Sequence, residues 1–285
     1  MRIYEIDLHY HAGQERAADK TLRDHVEYAR HTGRRILGLT DHINLYMPSD
    51  KPRSLHYLRS TEGLIEYRRE LEELKSGYPD MRFYFAPELY AGYDYRNMDR
   101  RIIETSDYFI CEPPHSCESR AENTAGRINC LRDIAELRDF SKRPAFMAHP
   151  LRALIYRRAV EDDFGIRPEP KKSYKDLSPA EVNEFLRLDV GAFADESKRL
   201  DVPIELNGET QYRAGCLNNP IAMQVLWAAY AIMLERGAEL VPSSDQHDFS
   251  IGKFGTPVAQ DCFDELNIGA EDIRFIKELD EPRAL

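Results

Sequence analysis

Nine histidines are spread through 285 residues, and six of them stand beside isolated acids or prolines in short motifs. His9 and His11 form an H-x-H pair in Asp7-Leu8-His9-Tyr10-His11. In an extended chain both imidazoles lie on one side, roughly 6–7 Å apart along the backbone, so one cation can reach both. His42 follows Asp41 in Leu39-Thr40-Asp41-His42, Glu88 follows an apolar run in Ala86-Pro87-Glu88, and His115 follows Cys111-Glu112-Pro113-Pro114. His149 precedes Pro150, while Asp245 and His247 repeat the alternate spacing in Ser243-Ser244-Asp245-Gln246-His247. Imidazole mixed with carboxylate suits Zn, Mn or Fe, whereas Ca and Mg favour shells of oxygen alone. The chemistry on offer is a polynuclear transition-metal site.

Such a site needs elements that bring distant motifs together. Seven short apolar runs ending in polar punctuation are expected as strands: residues 3–9, 36–39, 82–86, 108–111, 145–149, 203–206 and 239–243. Amphipathic, charge-rich segments at 22–31, 62–75, 121–140, 179–199 and 220–236 are expected as helices between them. This alternation implies an α/β fold with a parallel sheet, closing as an irregular (β/α)7 TIM-like barrel in a single domain over residues 1–285. The six histidines then fall at or just beyond strand ends, where barrels of this kind carry their chemistry. Ser178-Pro179-Ala180-Glu181 has the order of a capping box with a first-turn proline, and Asn219-Pro220 repeats the cap and proline. Gly33 and Gly237 are placed as left-handed C-caps, and residues 157–176, with Pro168 and Pro170, read as a loop insertion.

Asp and Glu number 50 against 39 Lys and Arg, a formal charge of -11. That acidity argues against long nucleic acid as a partner. The most apolar stretch, 221–234, is about 14 residues long and short of the roughly 20 that span a bilayer, so no membrane partner is expected. Charges among the first residues speak against a signal peptide, and five cysteines without a C-x-x-C pair speak against a disulfide framework. A cytoplasmic location is the expectation.

Taken in order, Asp-Leu-His9-x-His11, Thr40-Asp41-His42, Pro87-Glu88, His115, His149-Pro150 and Ser244-Asp245-x-His247 resemble the polymerase and histidinol phosphatase (PHP) family, from residue 7 to about 255. The resemblance implies a (β/α)7 barrel that hydrolyses phosphate esters with two or three divalent metal ions (Zn, Mn or Fe) at its C-terminal rim. It implies that His9, His11, Glu88 and Asp245 hold a first metal. Glu88, His115 and His149 would hold a second, with Glu88 bridging, and His42 with His247 a third. Many family members have a further His or Asp about six residues after the H-x-H pair; that position here is Ala17, and Glu15 is the nearest replacement. Glu205 and Asn207 resemble the family's Glu-x-Asn and would stand behind the ligands.

A phosphate monoester dianion repels attack by water, so catalysis needs concentrated positive charge and a nucleophile. Adjacent divalent ions clamp phosphoryl oxygens and lower the pKa of bound water from 15.7 to about 7. The expected nucleophile is a metal-bridging hydroxide held by Glu88, with Asp41 and His247 in support and Asp41 orienting His42 or a bound water. Arg152, just after His149-Pro150, is the candidate phosphate contact, with Arg120, Arg127 and Lys253 as weaker ones. His25, His31 and His56 lie off the strand ends and are expected on the surface, and Trp227, Tyr46, Tyr90, Tyr93, Tyr95 and Tyr212 are candidate pocket aromatics. The expected substrate is a small phosphorylated metabolite. The alternatives are a phosphodiesterase acting on nucleotides or short oligonucleotides, and a non-catalytic metal-bearing scaffold.

Overall fold

Short apolar runs, buried on both faces, alternate with helices that each bury one stripe, and this produces parallel strands with helical crossovers. The computed structural model describes residues 1–12, 20–43, 60–90, 92–160, 173–216, 221–247 and 256–280. From the N-terminus come β1 (Ile6–Tyr10), α1 (Leu22–His31), β2 (Ile36–Leu39), α2 (Thr61–Lys75), β3 (Arg82–Phe85) and β4 (Glu88–Leu89). Next are α3 (Arg100–Thr105), β5 (Phe109–Cys111), α4 (Arg120–Ser141), β6 (Ala145–Met147), α5 (Arg152–Val160), α6 (Pro179–Leu186) and α7 (Val190–Leu200). They are followed by β7 (Ile204–Asn207), α8 (Gly208–Cys216), α9 (Ile221–Glu235), β8 (Leu240–Ser243), α10 (Thr256–Glu265) and α11 (Arg274–Asp280).

The strands form two parallel sheets, ordered β1-β2-β3 and β4-β5-β6-β7-β8. Single bridges link their margins, Tyr10 with Gln246 and His42 with Glu88. His11 N donates to Gln246 O at 2.9 Å, and Glu88 N to Asp41 O at 3.2 Å. Among the described residues no continuous ladder closes the two sheets into one barrel. Among the described residues there are eight strands where seven were expected, because the run beginning at Arg82 is interrupted at Pro87, which has no N–H to donate.

The other departures have local causes. The single helix expected over 179–199 is two: Arg187 turns left-handed (φ 47°) and Asp189 caps α7 by accepting from Ala192 N at 3.0 Å. The Ser178 capping box is present, and Gly33 (φ 93°) and Gly237 (φ 84°) are left-handed as expected. Behind Gly237, Ala238 N returns to Met233 O at 3.0 Å, the bond that ends α9. The stripe Ile221, Val225, Leu226, Ala229 and Met233 is buried. Of the 157–176 stretch expected as a loop, the residues up to Val160 continue α5 and Tyr174–Asp176 form a 3-10 turn, while 161–172 and Asn219-Pro220 lie outside the described residues. Cys111, Cys117, Cys130 and Cys262 are free thiols, and no described helix is long and apolar enough to cross a membrane.

Tyr108, Phe146 and Phe275 fill the interior, with ring centroids 5.2–5.8 Å apart. The Tyr108 hydroxyl donates to Leu8 O at 2.6 Å, and it reaches that carbonyl because Gly38 on β2 leaves room. A Cβ at Gly38 would land on the hydroxyl and 3.1 Å from Leu8 Cα. Gly38→Ala should therefore lower unfolding free energy by about 1–3 kcal/mol in urea titration. Adding Tyr108→Phe should recover part of that loss, and strictly additive effects would contradict this packing.

Candidate metal centre

The cluster is assembled at strand exits. β1 delivers His9 and His11 on one side, as the two-residue period requires, and β4 delivers Glu88. His149 follows β6, and Asp245 and His247 follow β8. His149 (φ 22°) and Asp245 (φ 57°) both take positive φ, a conformation unfavourable for residues with a Cβ and held only where surrounding bonds impose it. Those bonds are present: His149 N donates to Glu205 Oε2, and Asp245 N to His9 O at 2.7 Å.

Glu88 lies at the centre and is fully buried. Its Oε2 is 2.9 Å from His42 Nδ1, 3.3 Å from His9 Nε2 and 3.4 Å from His11 Nε2, while Oε1 is 3.1 Å from His149 Nε2. Asp245 Oδ1 stands 3.2 Å from His11 Nε2 and 3.4 Å from His9 Nε2. His247 stacks on His11 with ring centroids 4.1 Å apart. Three triads of ligand atoms, each mutually within 4.8 Å, overlap here: His9–His11–Asp245, His9–Glu88–His149 and His11–His42–His247. Two more, His42–Glu88–Glu112 and Glu209–Asp245–His247, extend the cluster.

Neighbouring groups fix the orientations. His9 Nδ1 donates to Glu205 Oε1 at 2.8 Å, which turns Nε2 toward Glu88. Glu205 also accepts from Asn207 Nδ2 at 3.1 Å and from the Ser243 hydroxyl, and Asn207 in turn accepts from Thr210 N at 2.7 Å. Asp7 accepts from the Ser244 hydroxyl at 2.6 Å and from Arg34 Nε at 3.2 Å, tying β1 to the exit of β8.

A metal fits these residues on two observations. Glu88 Oε2 and His42 Nδ1 are buried 2.9 Å apart with no other hydrogen-bond partner, and His9 Nε2 lies only 3.0 Å from His11 Nε2. Converging lone pairs of nitrogen and oxygen are what a divalent transition ion satisfies. Without metal, protons do that work. Burial would lower His11 and His149, but bonds to Asp245 and Asp41 lift His11 to about 9, and bonds to Glu112 and Glu88 outweigh burial and Arg152 to bring His149 to about 9. Burial is likewise outweighed at His9, raised by Glu88, Glu205 and Asp245. Burial would raise the Glu88 and Asp245 carboxyls; His42 and His9 hold Glu88 well below the carboxylate range, and His9 and Arg152 do the same for Asp245.

Several expected residues stand elsewhere. His115 is exposed and in none of the triads; Glu112 occupies the place by His149, at 3.3 Å. Asp41 faces His11 Nδ1 at 3.7 Å and accepts from the Tyr67 hydroxyl at 2.9 Å, so it supports His11 instead of His42. Arg152 is clasped by Asp245, Glu112 and Glu209 at 2.5, 3.1 and 3.2 Å. Arg120, the first residue of α4, is exposed and outside the triads. Arg127 is fully buried, its Nε donating to Pro150 O at 2.8 Å. His25 is buried, not superficial: it falls on the inward stripe of α1 beside the Tyr10 hydroxyl, 3.3 Å away, and burial pushes its pKa down to about 4. Of the aromatic candidates, Tyr90 stacks on His42 at 5.2 Å, whereas Tyr95 and Trp227 bond to Glu136 and Gln211. Glu15, Tyr46, His56 and Lys253 lie outside the described residues.

No protein-family model matches the chain, and no curated protein matches it. Among solved structures it is similar to histidinol phosphate phosphatase from Lactococcus lactis subsp. lactis, solved with zinc, L-histidinol and phosphate, at 15% identity and TM-score 0.59 over 92% of this chain and 94% of that one. A probable 2-pyrone-4,6-dicarboxylic acid hydrolase from Acinetobacter baumannii with bound citric acid is similar at 15% identity and TM-score 0.44, covering 94% of this chain and 96% of that one. The first likeness is one of fold: parallel strands joined by helices in an α/β architecture.

Because His11 and His149 hold protons up to about pH 9 without metal, divalent-ion uptake should expel protons. Calorimetry at pH 7.5 in buffers of different ionisation enthalpy should show more than one proton released per chain, with affinity rising toward pH 9. A heat of binding independent of buffer would contradict this. Glu205→Gln, which removes the charge orienting His9, should weaken metal binding about 10–100-fold.

Proposed function

We propose that this chain is a metal-dependent phosphoesterase of the PHP type, hydrolysing a small phosphorylated metabolite as a monoester. The observation that carries this reading is the overlap of three ligand triads around His9, His11 and the buried Glu88 at the exits of parallel strands. A lone structural ion needs a closed set of four ligands, whereas overlapping open sets suit adjacent ions that act on a substrate. The fold likeness to a histidinol phosphate phosphatase solved with zinc and phosphate agrees with it. On this reading β3 and β4 count as one interrupted stave of an irregular seven-stave barrel.

His9, His11 and Asp245 would hold one ion, Glu88 and His149 a second, and His42 with His247 a third. Bound there, the ions would supply the positive charge for phosphoryl oxygens and a water acidified to a pKa of about 7. The chain's own residues do the rest. Glu88 offers one oxygen to the His149 side and the other to the His9, His11 and His42 side. Glu205 and Asp41 keep the imidazoles of His9 and His11 turned inward. His42 and His247, with side chains 18% and 17% exposed, stand at the open side, where an anionic substrate would enter.

With Mn or Zn added, the protein should hydrolyse a generic aryl phosphate monoester faster than the corresponding diester. Chelation, Glu88→Ala and His149→Ala should each reduce the rate at least roughly 100-fold, about 2.7 kcal/mol of barrier. Activity that survives chelation or either substitution would remove the enzymatic reading, and a preference for the diester would turn it toward a phosphodiesterase.

A further inference from the structure

We infer that Glu112, and not His115, is the ligand that completes the position between Glu88 and His149, making that position rich in carboxylate. This rests on the cluster being a metal centre. Glu112 directly follows β5, and its N–H donates to Leu89 O at 2.8 Å, so its backbone still runs beside β4, the strand that carries Glu88. Glu112 Oε1 is 3.3 Å from His149 Nε2, and ligand atoms of His42, Glu88 and Glu112 lie mutually within 4.8 Å. His149 Nε2 thus stands between two carboxylates, 3.1 Å from Glu88 Oε1 and 3.3 Å from Glu112 Oε1.

The same segment holds His115 away. Pro113 and Pro114 follow Glu112, and two residues past His115 the chain is pinned by the buried Asn123 of α4. Asn123 Oδ1 accepts from Cys117 N at 2.7 Å, and Nδ2 donates to Cys117 O at 2.9 Å. His115 is thereby left exposed on the way to α4. Arg152 steadies the carboxylate instead: Nη2 donates to Glu112 Oε1 at 3.1 Å, while Nη1 reaches Asp245 Oδ2 at 2.5 Å and Glu209 Oε2 at 3.2 Å. One guanidinium thus braces ligands of two positions.

Two carboxylates and one imidazole make a harder donor set than one carboxylate and two imidazoles, and they favour Mn(II) relative to Zn(II) at this position. The test uses the full chain stripped of metal and titrated with Mn(II) alone or Zn(II) alone, with bound equivalents counted and melting followed by circular dichroism. His115→Ala should keep every equivalent at affinities within twofold of wild type. Glu112→Gln, which preserves shape, and Glu112→Ala should lose one equivalent or bind it at least about 100-fold more weakly, the upper end of what losing an outer partner produces. Glu112→His should recover the Zn(II) equivalent while leaving Mn(II) at least tenfold weaker at that position, on the order expected from ligand softness. The inference is overturned if folded Glu112→Gln keeps all equivalents, or if His115→Ala loses one. A wild-type chain that takes up neither ion overturns the metal-centre reading itself, and the inference with it.

Discussion

One buried carboxylate sets the terms for this molecule. Glu88 sits fully buried at a strand exit, and an anion taken out of water is costly unless positive charge meets it there. Four imidazole nitrogens converge on it, from His9, His11, His42 and His149, where protons or a shared ion can supply that charge. They come from segments far apart in sequence, so the compensation exists only once the parallel strands are paired. β4 is only two residues long, yet its pairing with β5 and the bridge to His42 place Glu88 where those segments converge.

Around that centre the chain builds a rigid surround. Glu205 gathers His9, the His149 peptide, Asn207 and Ser243; Asp7 joins Arg34 and Ser244. The left-handed backbones at His149 and Asp245 are held by bonds that these neighbours supply. Groups ordered in this way lose little further freedom when an ion or an anionic substrate arrives, which is how a preorganised site gains strength. Net acidity of -11 is compatible with such a substrate, because the charge that would meet it belongs to ions and not to residues.

Much of this was legible in the sequence because it follows periodicity. α1 and β2 occupy their expected residues, and H-x-H at a strand exit puts two imidazoles together by alternation alone. What escaped depends on where the chain turns after a strand. Glu112 reads as a loop acid, and nothing local says that Asn123 pins Cys117 and carries His115 outward. The burial of His25, by contrast, is written in its spacing: it shares the stripe of Leu22, Val26 and Ala29 on α1, and an inward position follows from that. The break after Leu186 was carried by Asp189, a cap residue hidden inside an otherwise helical pattern.

The most direct measurement of the central claim is anomalous diffraction from crystals of the full chain soaked in Mn(II) or Zn(II). At least two peaks should flank the Glu88 carboxylate, roughly 3.5–4 Å apart as in two-metal hydrolytic centres. A density map with no anomalous peak at Glu88, or with one isolated ion bound elsewhere, would contradict that claim.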